Sequence, residues 1–322
     1  MAKDFLTYNQ QMKYLRDDKL IACNGSQEKS LLVANGYFNL VNGYKNPFVV
    51  GQQNGRHVYQ KGTNIKELFA LKEFDDDLRL LLLKYITKVE EEVRSLVAYA
   101  FDYCNDKGKI PWYSIDAFDI SQDTTKLIKV ISDAYSEINR SKQEYVKYYL
   151  EHHNIIPTWI LVKTINFSTL IDLIKYSKPY VKESLCKLYS IVDKDGRNDY
   201  KLLNGSLHWF RTVRNSCAHN ERIYTMVRKG GRLSSTYFSL MGQSYIRDRD
   251  EKIIDIIVFL KYFLDKKLFE KMINELKGAL DNLKQEINNN AFQRVRADLG
   301  IKNIDHLDGI LKNSKIIEYN KF

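Results

Sequence analysis

The stretch from about Asn64 to Tyr103 constrains the fold more than any other part of this chain. Within it Leu78, Leu81, Leu82, Tyr85, Ile86, Val89, Val93, Leu96 and Val97 recur every three or four residues, the period of one broad helical face. A helix that long must bury its apolar side against other elements, so it is expected to be the central core helix, with a break near Phe74.

The remaining periodicities are also mostly helical. Thr7 followed by Gln10 has the spacing of a capping box, opening a helix that runs to about Ile21. A second helix is expected from near Ser26, and residues 50 to 62, with Gly51, Gly55 and Gly62, read as a loop or small hairpin. After a loop at 108 to 119, helices are expected at about 122 to 138, 141 to 151, 158 to 176, 179 to 192, 249 to 264 and 266 to 290. Pro157 and Pro179 fall at or just before first turns. The Gly230-Gly231 pair, with β-prone residues from Tyr224 to Leu240, suggests a small inserted β-hairpin. No internal repeat or linker separates domains.

The expected fold class is therefore mainly α, a helical bundle with an N-terminal helical extension and a small β-hairpin insertion. Its expected organisation is an N-terminal helical and aromatic region, 1–62, packed on the core, a main helical domain, 63–292, and a polar C-terminal tail, 293–322. With 44% hydrophobic and 12% aromatic residues in 322, the chain can bury a sizeable core.

Composition narrows the chemistry. Cys23, Cys104, Cys186 and Cys217 stand far apart with no Cys-x-x-Cys, so neither a zinc site nor a disulfide framework is expected. His152-His153 has no further ligand-type residue close after it and reads as a solvated helix end; no metal and no cofactor are expected. The N-terminus lacks a charged region followed by an apolar one, and no run of 18 apolar residues occurs, so the expectation is a cytoplasmic protein with no membrane partner. Fifty basic residues against forty acidic give a net charge of +10, which favours a polyanion as partner. The segment from Arg211 to Arg249 alone has eight Lys or Arg against Glu221 and Asp248.

That basic segment opens on the run Arg211-Thr212-Val213-Arg214-Asn215-Ser216-Cys217-Ala218-His219. Leu203, Leu207, Phe210, Val213 and Cys217 give it one buried helical face. Arg211 and Arg214, three apart, share a side, whereas five residues turn His219 by about 140° from Arg214 on an ideal helix. Arg214 and His219 converge only if the helix ends or distorts near Ala218, or if a second subunit supplies half of a site. A guanidinium clamps phosphate oxygens at two points and an imidazole exchanges a proton near neutral pH, so the pair suits phosphodiester chemistry. A structural reading, with His219 capping the helix and Arg214 in an internal ion pair, stands beside it. Glu90 and Arg94 have the i, i+4 spacing of a helical ion pair.

Four landmarks carry a family resemblance. Gly36-Tyr37-Phe38-Asn39-Leu40-Val41-Asn42-Gly43-Tyr44 with Pro47-Phe48 is similar to a "YYRL-x-GY-x-x-PF" region, departing from it at Gly36 and Asn39. Phe74-Asp75 with Leu78-Arg79, then Glu90 and Arg94, resembles an "FD-x-x-LR" helix with a downstream Glu-x-x-x-Arg. Ile156-Pro157-Thr158-Trp159 matches a "PxW" stretch, and Val213 to Tyr224 matches an "IRNxCAHxERLY" signature. Together they resemble the Abi family of bacterial phage-defence proteins, the AbiD/AbiF-like abortive infection group, whose C-terminal part belongs to the HEPN superfamily of helical ribonucleases.

The resemblance implies an HEPN-like bundle and a metal-independent endoribonuclease toxin acting on RNA as a homodimer. It implies Arg214 and His219 as the catalytic pair, with Asn215 as the polar residue after the Arg. Arg211 and Arg222 would hold substrate phosphates, and Glu90 and Arg94 would orient the site or else hold helices together. A small-RNA antitoxin is among the partners it admits. The competing expectation is a non-catalytic RNA-binding module held by a small RNA or protein partner. The aromatic segment from Asn35 to Phe48, with its two Asn-Gly turns, reads as small core or as a stacking platform.

Overall fold

In a computed structural model the described residues are 5–153, 155–228 and 251–312. The chain is mainly helical. After α1 (Tyr8–Asp17) and α2 (Ser26–Asn35) come a short hairpin, β1 (Val49–Gln53) with β2 (Arg56–Tyr59), and the long α3 (Ile65–Cys104). Then follow α4 (Thr124–Arg140), α5 (Glu144–His152), α6 (Thr158–Thr164), α7 (Phe167–Tyr176), α8 (Pro179–Tyr189) and α9 (Tyr200–Ala218). The described C-terminal part holds α10 (Ile253–Phe263), α11 (Lys266–Glu286), α12 (Asn289–Leu299) and α13 (Ile304–Lys312).

Helix α3 is the axis of the bundle. Its 40 residues extend about 60 Å, and α6, α8, α9 and α11 pack along it. Asn64 and Glu67 start it with a reciprocal capping box. The second carboxylate oxygen of Glu67 accepts the backbone and side-chain N–H of Asn288, the cap of α12, at 2.8 and 3.0 Å, so one carboxylate ties the starts of two helices together.

The break expected near Phe74 is absent. No Gly or Pro interrupts the segment, and Phe74 and Leu78 continue the buried stripe. Asp75 is on the buried side, where Arg79 one turn later neutralises it at 2.7 Å.

Where one helix is expected at 158 to 176, the chain forms two, α6 and α7. Ile165 is extended, and the side chain of Asn166 caps α7 by accepting the Thr169 N–H at 3.0 Å. The Glu137 carboxylate of α4 holds Asn166 and Thr169 from outside. This break leaves the last carbonyls of α6 without intrahelical donors, which matters for the site.

The Asn42-Gly43 turn also gives way: Gly43 is right-handed and closes a π-helical turn over Phe38–Asn42. The aromatic segment is largely core, with Leu40, Tyr44 and Phe48 buried, although Phe38 is exposed. The observed hairpin is in the 50 to 62 stretch, where Asn54 and Gly55 both take positive φ, as a two-residue type I′ turn requires. The hairpin expected between Tyr224 and Leu240 lies outside the described residues from 229 onward.

One continuous core runs from Met12 in α1 to Ile310 in α13. The boundary expected at 292/293 falls inside α12, whose Phe292, Val295 and Leu299 are buried in that core. Every residue of α10 is buried, the charged Asp255 and Lys261 included. Among the described residues, no helix is long and apolar enough to cross a membrane.

Candidate functional site

Helix α9 carries Arg211, Arg214 and Asn215, and its apolar face, Leu203, Leu207, Phe210, Val213 and Cys217, is buried against the bundle. Packing against α3 brings Arg214 to Glu90. Its Nε donates to Oε2 at 3.2 Å and its Nη2 to both carboxylate oxygens at 3.1 Å. Nη1 donates to Oδ1 of the adjacent Asn215 at 3.0 Å.

Glu90 serves a second arginine as well. Arg94, one turn along α3, donates to Oε1 from Nη2 at 2.6 Å and from Nε at 3.2 Å. The Arg94 Nη1 reaches the carbonyl of Val162 and that of Ile165, the latter at 2.8 Å. These are the carbonyls freed where α6 stops, a position that favours a cation. The Glu90 side chain is 10% exposed and that of Arg94 17%, so the pair is no surface salt bridge. It is the centre of a joint between α3, α6 and α9 in which two guanidinium groups share one carboxylate. The site keeps a positive charge.

Arg211 donates from Nη1 to Oγ of Ser168, in the first turn of α7, at 2.7 Å. His208, three residues earlier, is half-buried, and burial together with the Arg211 charge holds its imidazole below the usual histidine range.

The helix ends at Ala218. Asn220 is left-handed, with φ 59°; its N–H returns to the Cys217 carbonyl at 3.2 Å and that of Glu221 to the Ser216 carbonyl at 2.9 Å. This is a Schellman motif with asparagine at the position glycine usually fills. His219 is the residue at the cap, exposed. Only its backbone N–H is engaged, with the Asn215 carbonyl at 2.9 Å; its ring forms no hydrogen bond among the described residues. Of the alternatives the spacing left open, a helix that ends at Ala218 is the one observed in the chain, while ring capping by His219 is not observed. Arg214 does lie in an internal ion pair.

The segment after His219 is held by groups whose role the spacing did not announce. Ser216 Oγ donates to the Glu221 carboxylate at 2.6 Å, and Arg79 Nη1 to the Glu221 carbonyl at 3.1 Å. Asp75, wholly buried, accepts the N–H groups of Tyr224 at 2.8 Å and Ile223 at 3.2 Å and the hydroxyl of Tyr44 at 3.0 Å. Burial pushes its carboxyl above the usual carboxylate range, and the Tyr224 N–H and Arg79 pull against that. The one signal that could have found Asp75 and Arg79 is an acid and an arginine at i, i+4 flanked by the apolar stripe residues Phe74 and Leu78.

Arg222 donates from Nη1 to the Gly43 carbonyl, and its guanidinium carbon is 5.9 Å from the Tyr224 ring centre. The structure thus brings Arg94, Glu90 and Arg214 together, places Arg211 on α7, and ties Arg222 to the aromatic segment. The Cys217 thiol beside the motif is pushed up to about 12 by burial, so it is no nucleophile at neutral pH. His152 and His153 stand apart at the end of α5, the first stacked on Tyr148. Among the described residues no three His, Cys, Asp or Glu side chains gather as metal ligands.

A family model described as Abi-like protein matches residues 30–225. The match spans the aromatic segment, Asp75 and Arg79, Glu90 and Arg94, and the whole of α9 through Tyr224. No curated protein and no solved structure matches the chain.

Proposed function

Because the chain belongs to the Abi-like protein family, which supports a role in abortive infection, the phage-defence response, we propose that it is a metal-independent endoribonuclease toxin of the HEPN type. In this reading it acts in the cytoplasm as a homodimer and is restrained by a cognate partner, a small RNA among the candidates. The observation that carries the reading is an arginine fixed by Glu90 followed, five residues on, by an exposed histidine whose ring forms no hydrogen bond among the described residues. Glu90 holds the Arg214 guanidinium along one edge, and Nη1 keeps a second N–H beyond its bond to Asn215. Five residues on, the exposed His219 ring projects from a helix end that is hydrogen-bonded on both sides.

The chemistry follows from those two groups. His219 takes the proton of a ribose 2′-OH, whose oxygen attacks the adjacent phosphorus; the 5′-oxygen of the next nucleotide leaves and is protonated. Arg214 stabilises the negative charge that builds on the phosphorane oxygens. The products are a 2′,3′-cyclic phosphate and a 5′-OH. A two-fold dimer supplies one His219 as base and the other as acid, and so does not require Arg214 and His219 of one helix, about 140° apart on an ideal helix, to meet. Glu90 and Arg94 act as positioning residues, while Arg211 and Arg222 contribute to phosphate attraction and its salt dependence.

A second reading draws on the Arg214–Glu90 ion pair itself, which a purely structural or RNA-holding motif would also form. The two separate on substrate chemistry. An oligoribonucleotide carrying a single 2′-deoxy sugar at a mapped cut position is expected to resist cleavage there while sites with a 2′-OH are cut. Equal cutting at the deoxy position would rule out attack by the 2′-oxygen. RNA binding with no cutting anywhere would favour the holding role.

A further inference from the structure

Beside the Arg94 end of the joint lies a groove of about 700 Å³, floored by α3 and walled by α6. Three of its lining side chains are large aromatics left open to solvent: Tyr99, Tyr103 and Trp159, exposed by 58%, 52% and 55%. Tyr99 and Tyr103, one helical turn apart, are stacked at 6.0 Å and 23°, and Tyr103 is stacked on Tyr180 of α8 at 5.2 Å and 23°. The result is a column of near-parallel rings that ends on the open face of Tyr99. Trp159, across the groove on α6, has no ring contact with this column among the described residues.

Such an arrangement is poor economy for a core and well suited to flat ligands. Each ring offers a π-face, and the groove's volume of about 700 Å³ is within the size range of small-ligand sites. Lys107 and Lys163 line the same groove, as does Arg94. Cations beside stacked aromatics are the pattern by which proteins hold single-stranded nucleic acid without reading its sequence. Glu91 and Asp102 are also in the lining; Thr158 holds the Asp102 carboxyl and burial pushes it above the usual carboxylate range.

We propose that this groove is a stacking site for one or two unpaired bases of an RNA strand, between the Tyr99 face and Trp159. Because Arg94 both lines the groove and shares Glu90 with Arg214, a strand seated there passes next to the proposed catalytic arginine. The inference rests on the reading of the protein as one that acts on RNA, and it adds how the strand is held: single-stranded RNA is the ligand, and a duplex, whose bases are already stacked, is refused.

Tryptophan fluorescence tests it directly. Trp112 and Trp209 are buried, at 2% and 3% exposure, so Trp159 is the solvent-facing indole. The full chain is titrated with a single-stranded 2′-O-methyl oligoribonucleotide, which cannot be cut. The expected result is quenching of the exposed indole by the single strand, none by the corresponding duplex, and loss of the quenching in Trp159→Phe. Tyr99→Ala and Trp159→Ala should each weaken binding roughly tenfold, with Tyr99→Phe restoring it and thermal midpoints unchanged. Binding that is equally tight in both alanine variants, or a wild-type protein that binds without quenching or not at all, would overturn the proposal; the first of these would leave the groove to a protein partner. Quenching without cleavage of ordinary RNA would keep the groove and sink the nuclease, and cleavage without quenching would do the reverse.

Discussion

Replacing His219 with alanine is expected to slow RNA cleavage by about 10² to 10⁴-fold, the range lost with a general acid or base, while RNA affinity stays within a factor of about two. The structure makes this variant clean. The ring is exposed and forms no hydrogen bond among the described residues, so the change should move stability by less than about 0.5 kcal/mol. The Schellman bonds that shape the helix end are made by the backbone of its neighbours and survive. Arg214→Ala should lose cleavage on a similar scale and keep the fold, because Glu90 retains Arg94 as a partner at 2.6 Å. Arg214→Lys should not restore activity, since an ammonium cannot hold both Glu90 oxygens and a phosphate at once. Single-turnover cleavage beside filter binding of the same RNA checks both. Unchanged rates in His219→Ala would remove the histidine from the chemistry.

The largest loss of stability is expected at Asp75. Asp75→Ala deletes the wholly buried one of the two carboxylates paired with Arg79, leaving Asp76, and strips the N–H groups of Ile223 and Tyr224 of their acceptor. Each orphaned buried N–H costs about 1–3 kcal/mol, and the Arg79 pairing lost adds less than the roughly 3–5 kcal/mol of a fully unpaired buried charge, because Asp76 remains. A fall in the unfolding midpoint on the order of 10 °C is expected, measured by thermal denaturation. Asp75→Asn, which keeps an acceptor oxygen but not the charge, should fall between wild type and alanine. Cleavage should drop in both, because Asp75 anchors the segment that follows His219. A midpoint within 2 °C of wild type for Asp75→Ala would show that Tyr44 and Arg79 hold that segment unaided.

What could be seen in the residues, and what could not, has physical reasons. Helices with continuous stripes were legible, α3 above all, whereas the end of α9 at Ala218 was one alternative among several. The split between α6 and α7 was not, because Ile165 and Asn166 preserve the apolar rhythm and the break is driven by the Glu137 carboxylate of a different helix. That split creates the carbonyls that hold Arg94, so the depth of the Glu90–Arg94 pair was hidden with it. Read along one helix, Glu90 and Arg94 resemble a surface salt bridge; only the packing of α9 adds Arg214 as a third member. Arg214 and His219 were legible as a motif, whereas the left-handed Asn220 that turns the chain away after His219 depends on local backbone geometry. The column of Tyr99, Tyr103 and Tyr180 joins two helices distant in sequence and had no linear signature.

The central claim is that Arg214 and His219 cut RNA through its own 2′-oxygen without a metal. The most direct measurement incubates the purified protein with total RNA in excess EDTA, beside His219→Ala at equal concentration, and maps the chemistry of the new ends. Fragments with 2′,3′-cyclic phosphate and 5′-OH ends are expected from the wild type, and intact RNA from the variant. Cleavage that stops in EDTA, leaves 5′-phosphate ends, or persists in His219→Ala would contradict it.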